Sequence, residues 1–157
     1  MKWVLIIVLI CVIMLIAYAV SEQYKEKFNF YDNLKKFLMQ FKLNISFKQE
    51  KITEFLKKSK AKKQFNVFIK EYNTYLKTNN LNLQDIKILD EEEKTQLESI
   101  VKSIGSLNAE NEIKQIDSFL LEINEKLQNA EADKNKLCPM IIKLSFLFAI
   151  GLAIILI

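Results

Sequence analysis

Two uncharged apolar runs bracket a long stretch in which apolar and polar positions alternate with helical periodicity. Eleven of the thirteen residues at 4–16 are Leu, Ile or Val, and no charge appears before position 21 except Lys2. At 1.5 Å per residue, residues 4–20 cover about 26 Å, a slightly short membrane span. The other run, residues 144–157, reads LSFLFAIGLAIILI, and ten of its fourteen residues are Leu, Ile or Phe. Alone it reaches about 21 Å; begun at Cys138 it reaches about 30 Å and takes in Lys143. That lysine lies about one and a half turns from the entry, where its stem can carry the ammonium back to the headgroups, so Lys143 is read as a membrane-interface residue.

Between the runs, Tyr24, Phe28, Tyr31, Leu34, Leu38, Phe41 and Ile45 recur at three and four, which predicts one helical face. No Gly or Pro lies before Ile45, so the first apolar helix can continue into the middle of the chain as one rod. Ile52, Phe55 and Leu56 predict a short second helix. Phe65, Phe68, Ile69, Tyr72, Tyr75 and Leu76 predict a third, ending near Thr78-Asn79-Asn80, where two Asn favour a turn. Residues 81–89 are too few for periodicity to assign. Asp90-Glu91-Glu92-Glu93 is the clearest helix start: Asp90 can cap, Glu93 can reach back, and three acids face the positive helix end. That helix buries Leu97, Ile100, Val101 and Ile104 and stops at Gly105, which can take the left-handed conformation of a C′ residue. Asn108 then caps a last helix carrying Glu110 and Glu112 in its first turn, followed by Ile113, Ile116, Leu120, Ile123, Leu127 and Ala130. Pro139 can kink this helix without ending it, so the pattern runs on into the apolar tail. The expected fold is all-α: an antiparallel helical bundle (residues 22–137) with an N-terminal transmembrane helix (1–21) and a C-terminal hydrophobic membrane segment (138–157).

Charge adds an orientation. All 23 basic residues are Lys, and His is absent. Lys25, Lys27, Lys35 and Lys36 follow the first run, and Lys134, Lys136 and Lys143 precede or enter the second, so both flanks direct the middle of the chain to the cytoplasm. A cleaved signal peptide competes with the anchor, because Ala17-Tyr18-Ala19 matches a small-x-small cleavage site. The anchor reading rests on the length of the run and on Tyr18 and Tyr24 at the interface. Residues 21–70 carry thirteen Lys against five acids, whereas residues 71–136 carry eight Lys against fourteen acids. Charge alone does not say whether these halves fold against each other or attract neighbours.

Candidate chemistry is sparse. With no His, only two Gly and no Cys pair within reach, the chain lacks parts for nucleophilic, metal or phosphate-loop chemistry, and neither an enzyme nor a cofactor is expected. Cys11 and Cys138 both lie in or beside the apolar runs, which supports no disulfide framework. The one strong electrostatic feature is the cluster Lys57, Lys58, Lys60, Lys62 and Lys63, five Lys in seven residues. It reads as a solvated helix junction or as a docking site for an acidic partner surface or anionic lipid; nucleic acid is not an expected partner. Phe65, Phe68, Tyr72 and Tyr75 share a helical face and are read as core, not as a base-stacking platform.

These pieces together resemble the stage III sporulation protein AB family. The resemblance is carried by Leu34, Leu38, Phe41, Ile45 and Phe47 at the spacing of that family's L-x3-L-x2-L-x3-I-x-Y pattern, followed by Ile52 and Glu54. Ile100, Val101, Ile104, Gly105 and Asn108 correspond to its F-G-x-x-L-G-x-x-D, and the apolar tail resembles its small-residue ending. The chain departs from the pattern with Lys51 at a Pro, Val101 at a Gly, Asn44 at an acidic position, and Ser145 and Ala149 at Gly positions of the tail. The resemblance implies a bundle similar to the cytoplasmic domain of the type II secretion platform protein, with Leu34, Leu38, Phe41 and Ile45 as core and Gly105 and Asn108 as the turn between the last two helices. It also implies a scaffold in the mother-cell membrane around the forespore, beside an ATPase and other sporulation-channel proteins. Apart from the resemblance, the apolar runs make membrane lipid a partner and leave a homo-oligomer open, with the oligomeric state not set by the sequence. The alternative from the residues alone is an exported helical surface tether with a cleaved signal peptide and a C-terminal membrane anchor.

Overall fold

Hydrophobic periodicity translates directly into helices. In the computed structural model, which describes residues 2–48, 56, 63–104 and 108–156, the regular structure among the described residues is all helical. Helix α1 spans Lys2–Leu43 and ends in a π-helical turn, Asn44–Lys48; α2 spans Lys63–Thr78, α3 Glu91–Ser103 and α4 Ala109–Leu156. The chain forms two compact units, one of Met1–Phe28 with Asn129–Ile157, the other of Asn29–Gln128. The expected continuity is observed at both ends: α1 runs 42 residues and α4 runs 48, the latter straight through Pro139. Of the short second helix, Leu56 is buried, while Ile52 and Phe55 lie outside the described residues.

The unit of Asn29–Gln128 is built on a heptad. On α1, Phe30, Leu34, Phe37, Phe41 and Asn44 are buried at alternating steps of four and three, with Tyr31 and Leu38 beside them. Facing them, α4 buries Glu112, Ile116 and Ile123 and half-buries Leu120 and Leu127. Polar contacts fix the register: Lys35 Nζ donates to Asn124 Oδ1 at 2.7 Å, and Lys42 Nζ pairs with Asp117 at 2.5 Å. A step of seven residues up one helix and seven down the other belongs to antiparallel helices that stay in contact along a seam. The face on α1 is wider than the single stripe of the sequence pattern, because Phe30 and Phe37 are needed against α2. There Phe30 and Phe37 meet Phe65, Phe68 and Tyr72 edge-on, with centroids 5.7 to 6.3 Å apart, the arrangement that the ring quadrupole favours. Phe65, Phe68 and Tyr72 are thus core, as expected.

Capping sets the remaining boundaries. Helix α2 stops where Asn79 takes φ 56, a left-handed conformation Asn tolerates, with its N–H on the Tyr75 carbonyl at 2.8 Å. Residues 81–89, left unassigned by periodicity, are a turn segment that buries every third residue, Leu83, Ile86 and Leu89. It is shaped by Asn82 Oδ1 accepting from Gln84 N–H at 3.0 Å. At α3 the capping box forms as expected, with Glu93 N–H on Asp90 Oδ1 at 2.8 Å and Asp90 N–H on Glu93 Oε2 at 3.0 Å. The helix buries Leu97, Ile100 and Val101, leaves Ile104 half-buried as its C-cap, and Gly105 lies outside the described residues. Asn108 Oδ1 accepts from Asn111 N–H at 3.0 Å at the start of α4.

Candidate functional site

Apolar exposure singles out the unit of Met1–Phe28 and Asn129–Ile157. Of the twenty large hydrophobic residues that stand exposed among the described residues, seventeen belong to it, from Trp3 at 65 % and Leu15 at 68 % on α1 to Ile154 at 70 % and Ile155 at 80 % on α4. A soluble protein rarely presents more than a few hundred Å² of contiguous apolar surface, whereas a lipid-facing helix presents it all round. Both α1 and α4 contain segments long and apolar enough to cross a membrane.

The few buried positions in this unit are small. Ala17, Ser21, Cys138 and Ala149 lie between 0 and 7 % exposed, and among the described residues Ile6 is the one large side chain buried with them. Small residues let two helix backbones approach closely, which is how apolar helices associate where burial from water offers no drive. The approach is close enough for Cys138 Sγ to donate to the Ser21 carbonyl at 3.3 Å. Within a uniformly apolar run this seam carries no hydrophobicity signal; only the spacings Ala17-x3-Ser21 and Ser145-x3-Ala149 could have revealed it. Gly151 does not belong to the seam, for a Cβ there would meet nothing within 4 Å.

At the polar edge of this unit, Lys134 Nζ sits 3.6 Å from the centroid of the Phe28 ring and Lys25 Nζ 5.6 Å from that of Tyr18. A lysine over an aromatic face at a membrane boundary keeps its charge in water and its stem in the apolar layer. Lys143 lies exposed beyond Pro139 on α4. Of the lysine cluster, Lys63 opens α2 as an exposed residue, while Lys57, Lys58, Lys60 and Lys62 lie outside the described residues.

The family model for stage III sporulation protein AB matches residues 2–157. The chain belongs to the stage III sporulation protein AB family. No curated protein and no solved structure matches it. Membership and the two apolar helices together make the chain a sporulation-related membrane protein. The family match covers both compact units, and three of the residues that carry the resemblance, Leu34, Leu38 and Phe41, are at most 2 % exposed in the second of them.

Among the described residues, that second unit holds a small, mainly apolar crevice between α1, α3 and α4. Tyr31, Glu93, Gln96, Glu122 and Lys126 line it together with apolar side chains, and its volume of about 10 Å³ has room for a single water at most. Burial, reinforced by the Glu93 carboxylate, pushes the Tyr31 phenol well above its ordinary value. Its hydroxyl finds no partner in hydrogen-bond geometry among the described residues. Such a crevice is a packing detail, too small for a metabolite.

Proposed function

We propose that this family member is a non-enzymatic, membrane-anchored scaffold of the sporulation channel between mother cell and forespore. In this reading α1 and α4 hold the chain in the mother-cell membrane, and the unit of Asn29–Gln128 docks partner proteins in the cytoplasm, an ATPase among them. The observation that carries the reading is the division of surface: seventeen of the twenty exposed large hydrophobic residues among those described lie in one unit, while the other places most of its apolar side chains in a core of aromatic and aliphatic residues. Lys25, Lys27, Lys134 and Lys136, at the membrane-proximal ends of the two helices, support the cytoplasmic placement.

Retention of the N-terminal segment is favoured over its cleavage. Ile6 and Ala17 are buried within their own unit, and α1 is unbroken through Ala17-Tyr18-Ala19, whereas a protease needs an extended substrate. The test is protease treatment of intact cells against permeabilised ones. Lysine-directed cleavage between residues 57 and 63 is expected only after permeabilisation; cleavage in intact cells, or a mature N-terminus at Val20, overturns the scaffold reading in favour of an exported tether. Recovery of an ATPase with the tagged full chain from detergent extracts is the second expectation.

A further inference from the structure

In the unit of Asn29–Gln128, three large hydrophobic side chains stand exposed among the described residues: Met39 at 49 %, Leu43 at 57 % and Leu121 at 76 %. They are not scattered. Met39 lies four residues from Lys35 and three from Lys42, and Leu121 lies four from Asp117 and three from Asn124. Residues three and four apart share a helix face. The contacts Lys35 to Asn124 and Lys42 to Asp117 therefore bracket Met39 and Leu121 on the two sides of one seam. Leu43, four residues past Met39, extends the ridge on α1. The apolar strip is flanked unequally: beyond the ion pairs Lys36–Asp32, Lys42–Asp117 and Lys114–Glu110 within the chain, α1 offers Lys35 and α4 the exposed Glu125.

We propose that this face binds a second copy of the chain through a two-fold axis running along the α1–α4 pair. A face that meets itself has two isologous arrangements: α1 on the partner's α1, or α1 on the partner's α4. The first stacks basic on basic and acidic on acidic; the second sets the basic helix of each copy over the acidic helix of the other and Met39 over the partner's Leu121. Like-charge juxtaposition costs and opposite charge steers, so the charges select the second arrangement. Three side chains fall short of the roughly 800 Å² per partner of a stable soluble complex. The flanking charges must therefore join the interface, and confinement of both copies to one membrane supplies the effective concentration that the area lacks. The inference concerns self-association alone and stands or falls separately from the choice of channel partners.

The test uses the full chain in liposomes with Cys11→Ser and Cys138→Ser, two copies of different tag length, and oxidative cross-linking. Met39→Cys on one copy and Leu121→Cys on the other should give a mixed disulfide at least about fivefold above either like pair, the preference that opposed charges impose on encounter. Dominant Met39→Cys or Leu121→Cys like pairs, or no cross-link, overturn the arrangement. In the same liposomes, Leu121→Lys places a cation against the partner's basic α1 and should weaken self-association by about tenfold, a loss of one hot-spot contact read by energy transfer between two differently labelled copies. Its helix content should be unchanged, because the position is exposed; unaltered energy transfer overturns the proposal.

Discussion

At the level of single residues, the best-determined feature is Asp90. Its carboxylate and that of Glu93 satisfy each other's backbone N–H groups at the start of α3. Asp90→Ala leaves one of those donors without its partner and should cost about 1 kcal/mol, seen as a lowered thermal midpoint of the full chain in detergent. Tyr31 behaves differently because its environment comes from other elements. Burial and the Glu93 carboxylate raise its phenol, and burial with Glu112 raises that of Tyr72. A folded pKa above the unfolded value of about 10 gives stability that is complete below pH ~10 and lost as pH rises past it, since the unfolded chain then ionises and the folded chain does not. Tyr31→Phe should therefore flatten the alkaline fall in stability. At neutral pH it should lower stability by about 1 kcal/mol or less, because the hydroxyl lies beside the Glu93 carboxylate but outside good hydrogen-bond geometry. An unchanged alkaline profile, measured by midpoint against pH, would contradict this account. The cap was legible in the sequence since all its atoms lie within four residues; the crevice around Tyr31 was not, since Glu93 and Glu122 reach it from two other helices.

Among the helices, α4 shows how one element serves two solvents. Its first half repeats apolar residues every seven, as a helix with one wet face must, and its last part is apolar on every side. Within the apolar part, Ala149 and Gly151 are near neighbours with opposite roles. Ala149 is 1 % exposed in the small-residue seam, whereas Gly151 faces open space. Ala149→Leu should overpack the seam and cost about 1–3 kcal/mol in a detergent melt, while Gly151→Ala should cost nothing and add up to ~1 kcal/mol of helix stability. Equal effects of the two changes would mean that the seam is not a contact. Lys143 adds a third case: it is exposed on the apolar end of α4, and Lys143→Leu should make insertion of that end firmer, read as greater resistance to alkaline carbonate extraction. Periodicity found the lengths of α1 and α4, but it could not show which of their small residues touch.

For the molecule as a whole, the two compact units imply separable stability. Residues 29–128 hold the aromatic and aliphatic core with three exposed large hydrophobic residues among those described, and should fold as a soluble, helical fragment with one cooperative thermal transition by circular dichroism. Loss of that transition would mean that the unit depends on the apolar helices. The charge asymmetry of the chain also resolves at this scale. Lys42 from the basic half pairs with Asp117 from the acidic half inside one unit, so part of the asymmetry is met within the fold. Exposed as it is, the pair contributes at most about 1 kcal/mol. Helix lengths, caps and the two apolar runs followed from the sequence by itself, because each depends on residues one or two turns apart and leaves a periodic trace. The antiparallel pairing of α1 with α4, the plug of Leu83, Ile86 and Leu89, the small-residue seam and the exposed strip of Met39, Leu43 and Leu121 were decided by the tertiary structure. A contact between residues far apart in the chain leaves no spacing to read, and an apolar side chain looks the same in sequence whether its partner is the core, lipid or another copy.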